Sequence, residues 1–179
     1  MTDATKAEMQ VQLHRMQAAH IQSGSPSAQT RTEWIDSALQ LLVENNDALC
    51  DALSLDFGHR SKDQSIFTDI VSSISALKHA KKHMKHWMRP QKRKSEFPLG
   101  LLGAKSEIRY QPKGVVGVVA PWNFPINLIF TPLAGIFSAG NRAMIKPSEF
   151  TPVTSDLVKE LVAKSVSYTH LTLPTTPYV

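Results

Sequence analysis

Two short apolar runs, Val115-Val-Gly-Val-Val-Ala120 and Arg142-Ala-Met-Ile-Lys146, stand on either side of a helical stretch from Ile126 to Ala139 that Gly140-Asn141 closes. The first run, short and rich in β-branched residues, has the signature of a strand buried on both faces, and Arg142 to Lys146 reads as a second buried strand. Two such strands joined through a helix pair in parallel, because a parallel pair needs a crossover where an antiparallel one needs only a tight turn. Thr151 with Pro152 then opens a further helix, Ser155 to about Lys164, by the preference for proline in the first helical turn. Strand, helix, strand, helix at this spacing is a βαβ unit with a parallel sheet and places the chain in the α/β class.

The first half reads as helical. Met9, Leu13 and Met16 lie at helical spacing within Lys6 to Ile21, and Ser23-Gly-Ser-Pro-Ser27 breaks the pattern. Thr32, with Glu33 in the first turn, is the expected N-cap of a second helix running through Leu39, Leu42 and Leu49 towards Leu53 and ending at Phe57-Gly58. A third helix is expected over Asp63 to Trp87, with Ile70, Ile74, Leu77, Met84 and Met88 on one stripe until Pro90 stops it. Ser106 to Gln111 alternates as a strand does. The last residues, Ser165 to Val179, carry threonines and prolines without a charge and continue no pattern.

A chain of 179 residues has room for one ordinary domain and too little for two lobes of a large enzyme. Its single cysteine, Cys50, excludes an intramolecular disulfide and an all-cysteine zinc site, and suits a reducing compartment. The start of the chain is polar, and nowhere do about eighteen apolar residues follow one another, so the expectation is a cytoplasmic protein with no membrane span. The net charge of +5 is local: Lys78 to Lys94 holds eight Lys/Arg and no acid, leaving twelve against fifteen acidic residues elsewhere. Basicity confined to one segment argues against nucleic acid as the partner of the whole domain.

In open parallel sheets ligands bind beyond the carboxyl ends of the strands, which directs attention to Pro121-Trp-Asn-Phe-Pro125 and Lys146-Pro-Ser-Glu149. The first sets the amide of Asn123 between two prolines of fixed φ, where it can donate to a developing oxyanion. The second places a cation and a carboxylate at a strand end, chemistry suited to ribose hydroxyls, with Glu149 accepting and Lys146 donating. Taken alone, Asn123 could instead cap the following helix, and Lys146 with Glu149 could be an ordinary surface pair.

Gly114-Val-Val-Gly-Val-Val-Ala-Pro-Trp-Asn-Phe-Pro125, Ser138-Ala-Gly-Asn141 and Ile145-Lys-Pro-Ser-Glu149 together strongly resemble the aldehyde dehydrogenase superfamily. The register agrees without a gap, the resemblance covers roughly Lys6 to Lys164, and it is closest to the coniferyl aldehyde dehydrogenase branch. It implies an NAD(P)-dependent oxidation of a small-molecule aldehyde through a cysteine thiohemiacetal. On the same ground Asn123 is the oxyanion-hole asparagine, Val119, Ala120, Pro121 and Trp122 line the cofactor cleft, and Lys146 and Glu149 take the adenosine ribose. The carboxylate of Glu149 favours a free 2′-hydroxyl, hence NAD, while the small Ser148 leaves NADP admissible.

The resemblance also implies an organisation: residues 1–105 as the helical N-terminal part of the cofactor-binding domain, 106–113 as a bridging or oligomerisation strand element, 114–164 as the start of the Rossmann-like unit. Residues 165–179 depart from the family's pattern and are expected to be disordered or artefactual. The family's nucleophilic cysteine and general-base glutamate match no position here, so the chain is expected to be an inactive N-terminal fragment of a parent that forms a homodimer or homotetramer.

Cys50 lies in an apolar helical setting and is read as a buried structural thiol. His79, His83 and His86 fall on one helix face, but Lys78, Lys81, Lys82 and Lys85 surround them and repel a dication, so no metal site is expected. The competing function is a non-enzymatic polyanion-binding module using the basic helix 78–94.

Overall fold

The computed structural model describes residues 3–165 and 171–173. Helix α1 (Asp3–Ser23) is followed by α2 (Ala28–Glu44) and α3 (Asn46–Phe57). A short α4 (Lys62–Ser65) runs through a π-helical turn (Ile66–Val71) into α5 (Ser72–Trp87). Then come β1 (Gln91–Arg93), β2 (Ser106–Ile108), β3 (Val115–Val119), α6 (Asn127–Ser138), β4 (Arg142–Lys146), α7 (Pro152–Ser165) and β5 (Leu171–Thr172). β1 and β2 pair antiparallel; β3, β4 and β5 form a parallel sheet in that order. The α/β architecture with a helical N-terminal region is the one expected.

One hydrophobic core runs from Trp34 in α2 to Leu173, taking in Leu42, Leu53, Leu77, Phe130, Phe137, Ile145 and Val158, so the helical half and the sheet share their interior. Trp34 meets Phe137 edge to face, with ring centroids 5.8 Å apart, the geometry the ring quadrupoles favour. Gly140, at φ 78°, turns the chain out of α6, and a side chain there would collide with the Arg31 guanidinium, which donates to the Ser138 carbonyl at 2.8 Å. A residue with no Cβ satisfies both demands.

Several boundaries differ from expectation. The second helix begins earlier: Ser27, not Thr32, is the N-cap, its Oγ accepting from Thr30 N at 3.1 Å, while the Thr32 hydroxyl donates back to the Ala28 carbonyl at 2.8 Å. That long helix is also two, because the chain leaves helical geometry at Asn45 (φ −113°, ψ 18°). Ser27→Ala is expected to lower stability by about 1 kcal/mol, as read by urea unfolding; an unchanged midpoint would show that Thr30 finds another acceptor.

Helix α7 opens at Pro152, as the Thr151-Pro152 pair indicates, so its regular part begins before Ser155; the carboxylate of Asp56 in α3 accepts from Val153 N at 3.0 Å and Thr154 N at 2.8 Å. An acid from another element supplies the cap, which sequence-local reasoning does not reach. β3 is not buried on both faces: it is the edge of its sheet among the described strands, and Val119 is 78 % exposed. β1 lies before residue 106 and pairs with β2, so a boundary at 105/106 cuts a two-stranded sheet.

Within the tail, Leu171 and Thr172 form β5, paired with Ala143 and Met144 of β4, and Leu171, Thr172 and Leu173 are buried. The expectation of disorder does not hold for these three residues, nor for Ser165, which is the last residue of α7. Two leucines covering the apolar edge of β4 and α7, with ladder hydrogen bonds to β4, are enough to fix a segment too short to show periodicity. Residues 166–170 and 174–179 lie outside the described residues. Among the described residues no helix is long and apolar enough to cross a membrane.

Candidate functional site

β3 and β4 end level with each other. Val119 pairs with Lys146, and Ala120 N donates to the Lys146 carbonyl at 3.0 Å. The two loops singled out from the sequence therefore leave the carboxyl edge of adjacent parallel strands, where this sheet class presents its ligand crevice. Val119, Pro121, Trp122 and Asn123 are exposed there, whereas Ala120 and Ser148 are buried.

In the second loop the Lys146 ammonium donates to Glu149 Oε2 at 2.6 Å and to the Pro147 carbonyl at 3.3 Å. The hydrogen bond from Lys146 holds the Glu149 carboxyl below the usual glutamate range. A carboxylate whose pKa is depressed on folding favours the folded state above its unfolded value and loses that contribution as pH falls through its folded one. In Lys146→Met the Glu149 titration, followed by carbon NMR, is expected to move up towards that of an ordinary glutamate, the backbone hydrogen bond retaining part of the shift; an unmoved midpoint would show that Lys146 is not the cause. Ser148 serves the turn: its Oγ accepts from Phe150 N at 3.2 Å and its carbonyl from Ser155 Oγ at 3.2 Å.

The first loop is held from the helical half. Gly58 (φ 63°) and His59 (φ 75°) turn the chain out of α3, and Arg60 then reaches back. Its guanidinium lies over the rings of Phe57 (4.9 Å) and Phe124 (5.4 Å) and donates to the Asn123 carbonyl at 3.4 Å. It also pairs with Asp69 at 2.9 Å, with side-chain exposures of 6 % and 0 %. Phe57 in turn meets the Trp122 ring at 6.3 Å.

Asp69 stands in the π-helical turn, and its Oδ1 accepts from Ile126 N and Asn127 N, both at 3.1 Å. Asp69 is thus the residue that caps α6, and Asn123 does not. Burial pushes the Asp69 carboxyl above its ordinary range, against the pull of these hydrogen bonds and of Arg60. The Asn127 amide donates to the Thr68 carbonyl at 3.1 Å, closing the same contact.

The sheet thus brings together Val119, Ala120, Lys146 and Glu149, while Asn123 is tied by its backbone to the Arg60–Asp69 pair. Arg60, Asp69 and Asp56 were missed. One signal was available: an acid at 69 interrupts the apolar stripe of Ile66, Ile70 and Ile74, and a buried acid is rarely idle. Cys50 is 2 % exposed in α3, its Sγ 3.7 Å from Asn46 Oδ1, and burial raises its thiol pKa. A thiol kept neutral is a poor nucleophile. Lys81, inside the basic run, is bridged to Asp36 at 2.5 and 2.7 Å. Among the described residues no group of three or more His, Cys, Asp or Glu could hold a metal ion.

Comparison with known proteins bears on the same residues. The profile of the aldehyde dehydrogenase family matches residues 1–169. A probable coniferyl aldehyde dehydrogenase of Caulobacter vibrioides is 53 % identical over 165 residues, covering 92 % of this chain and 34 % of the relative. The coniferyl aldehyde dehydrogenase of Pseudomonas sp. strain HR199 is 49 % identical over 160 residues, covering 89 % and 32 %. Among solved structures, the substrate-bound state of Staphylococcus aureus AldH superposes with a TM-score of 0.84 at 27 % identity, over 92 % of this chain and 35 % of that one. The chain spans about a third of the length of these relatives. With the strand-end loops in the places the motifs demand and the profile running through both, this chain belongs to the aldehyde dehydrogenase family.

Proposed function

We propose that the full-length protein is an NAD(P)-dependent aldehyde dehydrogenase that oxidises an aromatic or medium-chain aldehyde, coniferyl aldehyde first among them, to the carboxylic acid. The observation that carries the reading is the level ending of β3 and β4, which presents the Asn123 loop and the Lys146–Glu149 pair at one sheet edge. The substrate class rests on the two coniferyl aldehyde dehydrogenases at 49–53 % identity.

The donor set at the strand ends fits the adenosine half of a dinucleotide. Glu149 offers an acceptor and Lys146 a donor to ribose hydroxyls, and the exposed Val119 and Trp122 offer apolar surface beside them. When bound, NAD(P) supplies the hydride acceptor. Lys146 and Glu149 bind and orient; the Asn123 amide donates to the oxygen of the substrate carbonyl as negative charge gathers on it. A carboxylate at 149 disfavours a 2′-phosphate, which puts NAD before NADP. Within this chain the only thiol is the buried Cys50, so the 179 residues by themselves are expected to turn over no aldehyde. A cytoplasmic parent that assembles as a homodimer or homotetramer belongs to the same reading.

The test is Glu149→Gln in the full-length enzyme. If Glu149 takes the ribose, the KM for NAD rises about tenfold, the worth of one charge-assisted hydrogen bond, with kcat little changed. An unaltered KM for both NAD and NADP would remove Glu149 from the cofactor site. The polyanion-binding alternative draws no support from the relatives, and Lys81, near the start of its proposed surface, is paired with Asp36.

A further inference from the structure

We infer that Arg60 is a positioning residue for the oxidation: it sets the orientation of the Asn123 amide by holding the Asn123 carbonyl. This rests on the role given to Asn123 under the proposed function. Arg60 reaches Asn123 from a separate element, and its guanidinium is fixed on several sides. Nη2 donates to Thr68 Oγ1 at 2.8 Å and to Asp69 Oδ2 at 2.9 Å, Nη1 donates to the Asn123 carbonyl at 3.4 Å, and the Phe57 and Phe124 rings lie against it. The same carboxylate that anchors Arg60 binds the backbone N–H groups of Ile126 and Asn127. Both ends of the Asn123–Pro125 stretch are therefore referred to one buried group, through one arginine and one helix start.

A packing role alone does not account for this arrangement. Taking an ion pair out of water is costly, and apolar residues of similar volume often fill such a site as well or better. Arg60 Nε is moreover buried with no partner, a further cost to folding. The guanidinium brings what an apolar residue cannot, a planar fork that ties a carboxylate and a carbonyl at a set separation. The π-helical turn belongs to the same device. Its extra residue per turn lets Thr68 and Asp69 both serve the loop, Thr68 through its carbonyl to Asn127 and its hydroxyl to Arg60, and such turns recur at functional sites.

Arg60→Lys in the full-length enzyme tests the inference, because lysine keeps the charge opposite Asp69 but has no fork to reach the Asn123 carbonyl as well. The expected result is a fall in kcat of about ten- to a hundredfold, the effect of misplacing a catalytic group by about 1 Å. KM for NAD and the thermal midpoint should stay near wild type. In the double variant Arg60→Lys/Asn123→Ala, kcat should equal that of Asn123→Ala alone, since a residue that acts through another adds nothing once the other is gone. An unchanged kcat in Arg60→Lys overturns the inference, and so does a loss that multiplies with that of Asn123→Ala or that tracks a fall in the thermal midpoint. If Asn123→Ala itself leaves kcat intact, the proposed function of Asn123 fails first and this inference with it; if only Arg60→Lys is silent, the proposed function stands and this inference alone is lost.

Discussion

Asn123→Ala in the full-length enzyme is expected to lower kcat by about 10²–10³-fold, the usual cost of removing one oxyanion donor, while KM for NAD changes little. The physical basis is that an amide held in a fixed loop needs no reorganisation when charge develops on the substrate oxygen, whereas water entering in its place must reorient. Asn123 sits between Pro121 and Pro125, and its backbone is tied to Arg60, so the loss should fall on the chemical step and not on binding. Steady-state kinetics with coniferyl aldehyde separates the two. A variant with full kcat would mean that the amide faces solvent throughout the cycle and that the strand-end loop has another use.

The second large effect is on folding. Asp69→Ala is expected to destabilise the chain by about 3–5 kcal/mol, because it leaves the Arg60 guanidinium buried without its counter-charge and strips the acceptor from two N–H groups at the start of α6. Asp69→Asn should cost less, since an amide oxygen can still accept from Ile126 or Asn127. Removing both charges, as in Arg60→Met/Asp69→Leu, should recover much of the loss. Equilibrium denaturation of the three variants orders them; equal stability of Asp69→Ala and wild type would mean that the buried pair contributes nothing and that the loop is fixed by its prolines alone.

How far these residues could be found from the sequence varies with the range of the interaction. The βαβ unit was legible because β3 carries an apolar β-branched run, β4 follows the Gly140-Asn141 stop of α6 with an apolar centre, and parallel pairing follows from the helix between them. Lys146, Glu149 and Asn123 could be placed for the same reason, since they follow those strands directly in the chain. The start of α2 was not legible, nor was the group that caps α7, although Thr151-Pro152 marked where α7 opens. Ser27 and Thr32 are both competent caps, and α7 takes its cap from Asp56, which is remote in sequence. β5 escaped notice because a strand of two residues has no period to read.

By itself, then, the order of residues determined the class of fold, the family and which two loops leave the carboxyl ends of adjacent parallel strands, because helix and strand periods and the motifs at strand ends are short-range properties. Only the tertiary structure decided what holds that edge in place. Asp69 stood out only as an acid beside an apolar stripe, and nothing near it in the chain indicates that folding will bury it with Arg60 against the Asn123 loop. A buried ion pair takes its meaning from the desolvated space around it, and that space exists only once α3, α5 and α6 have packed.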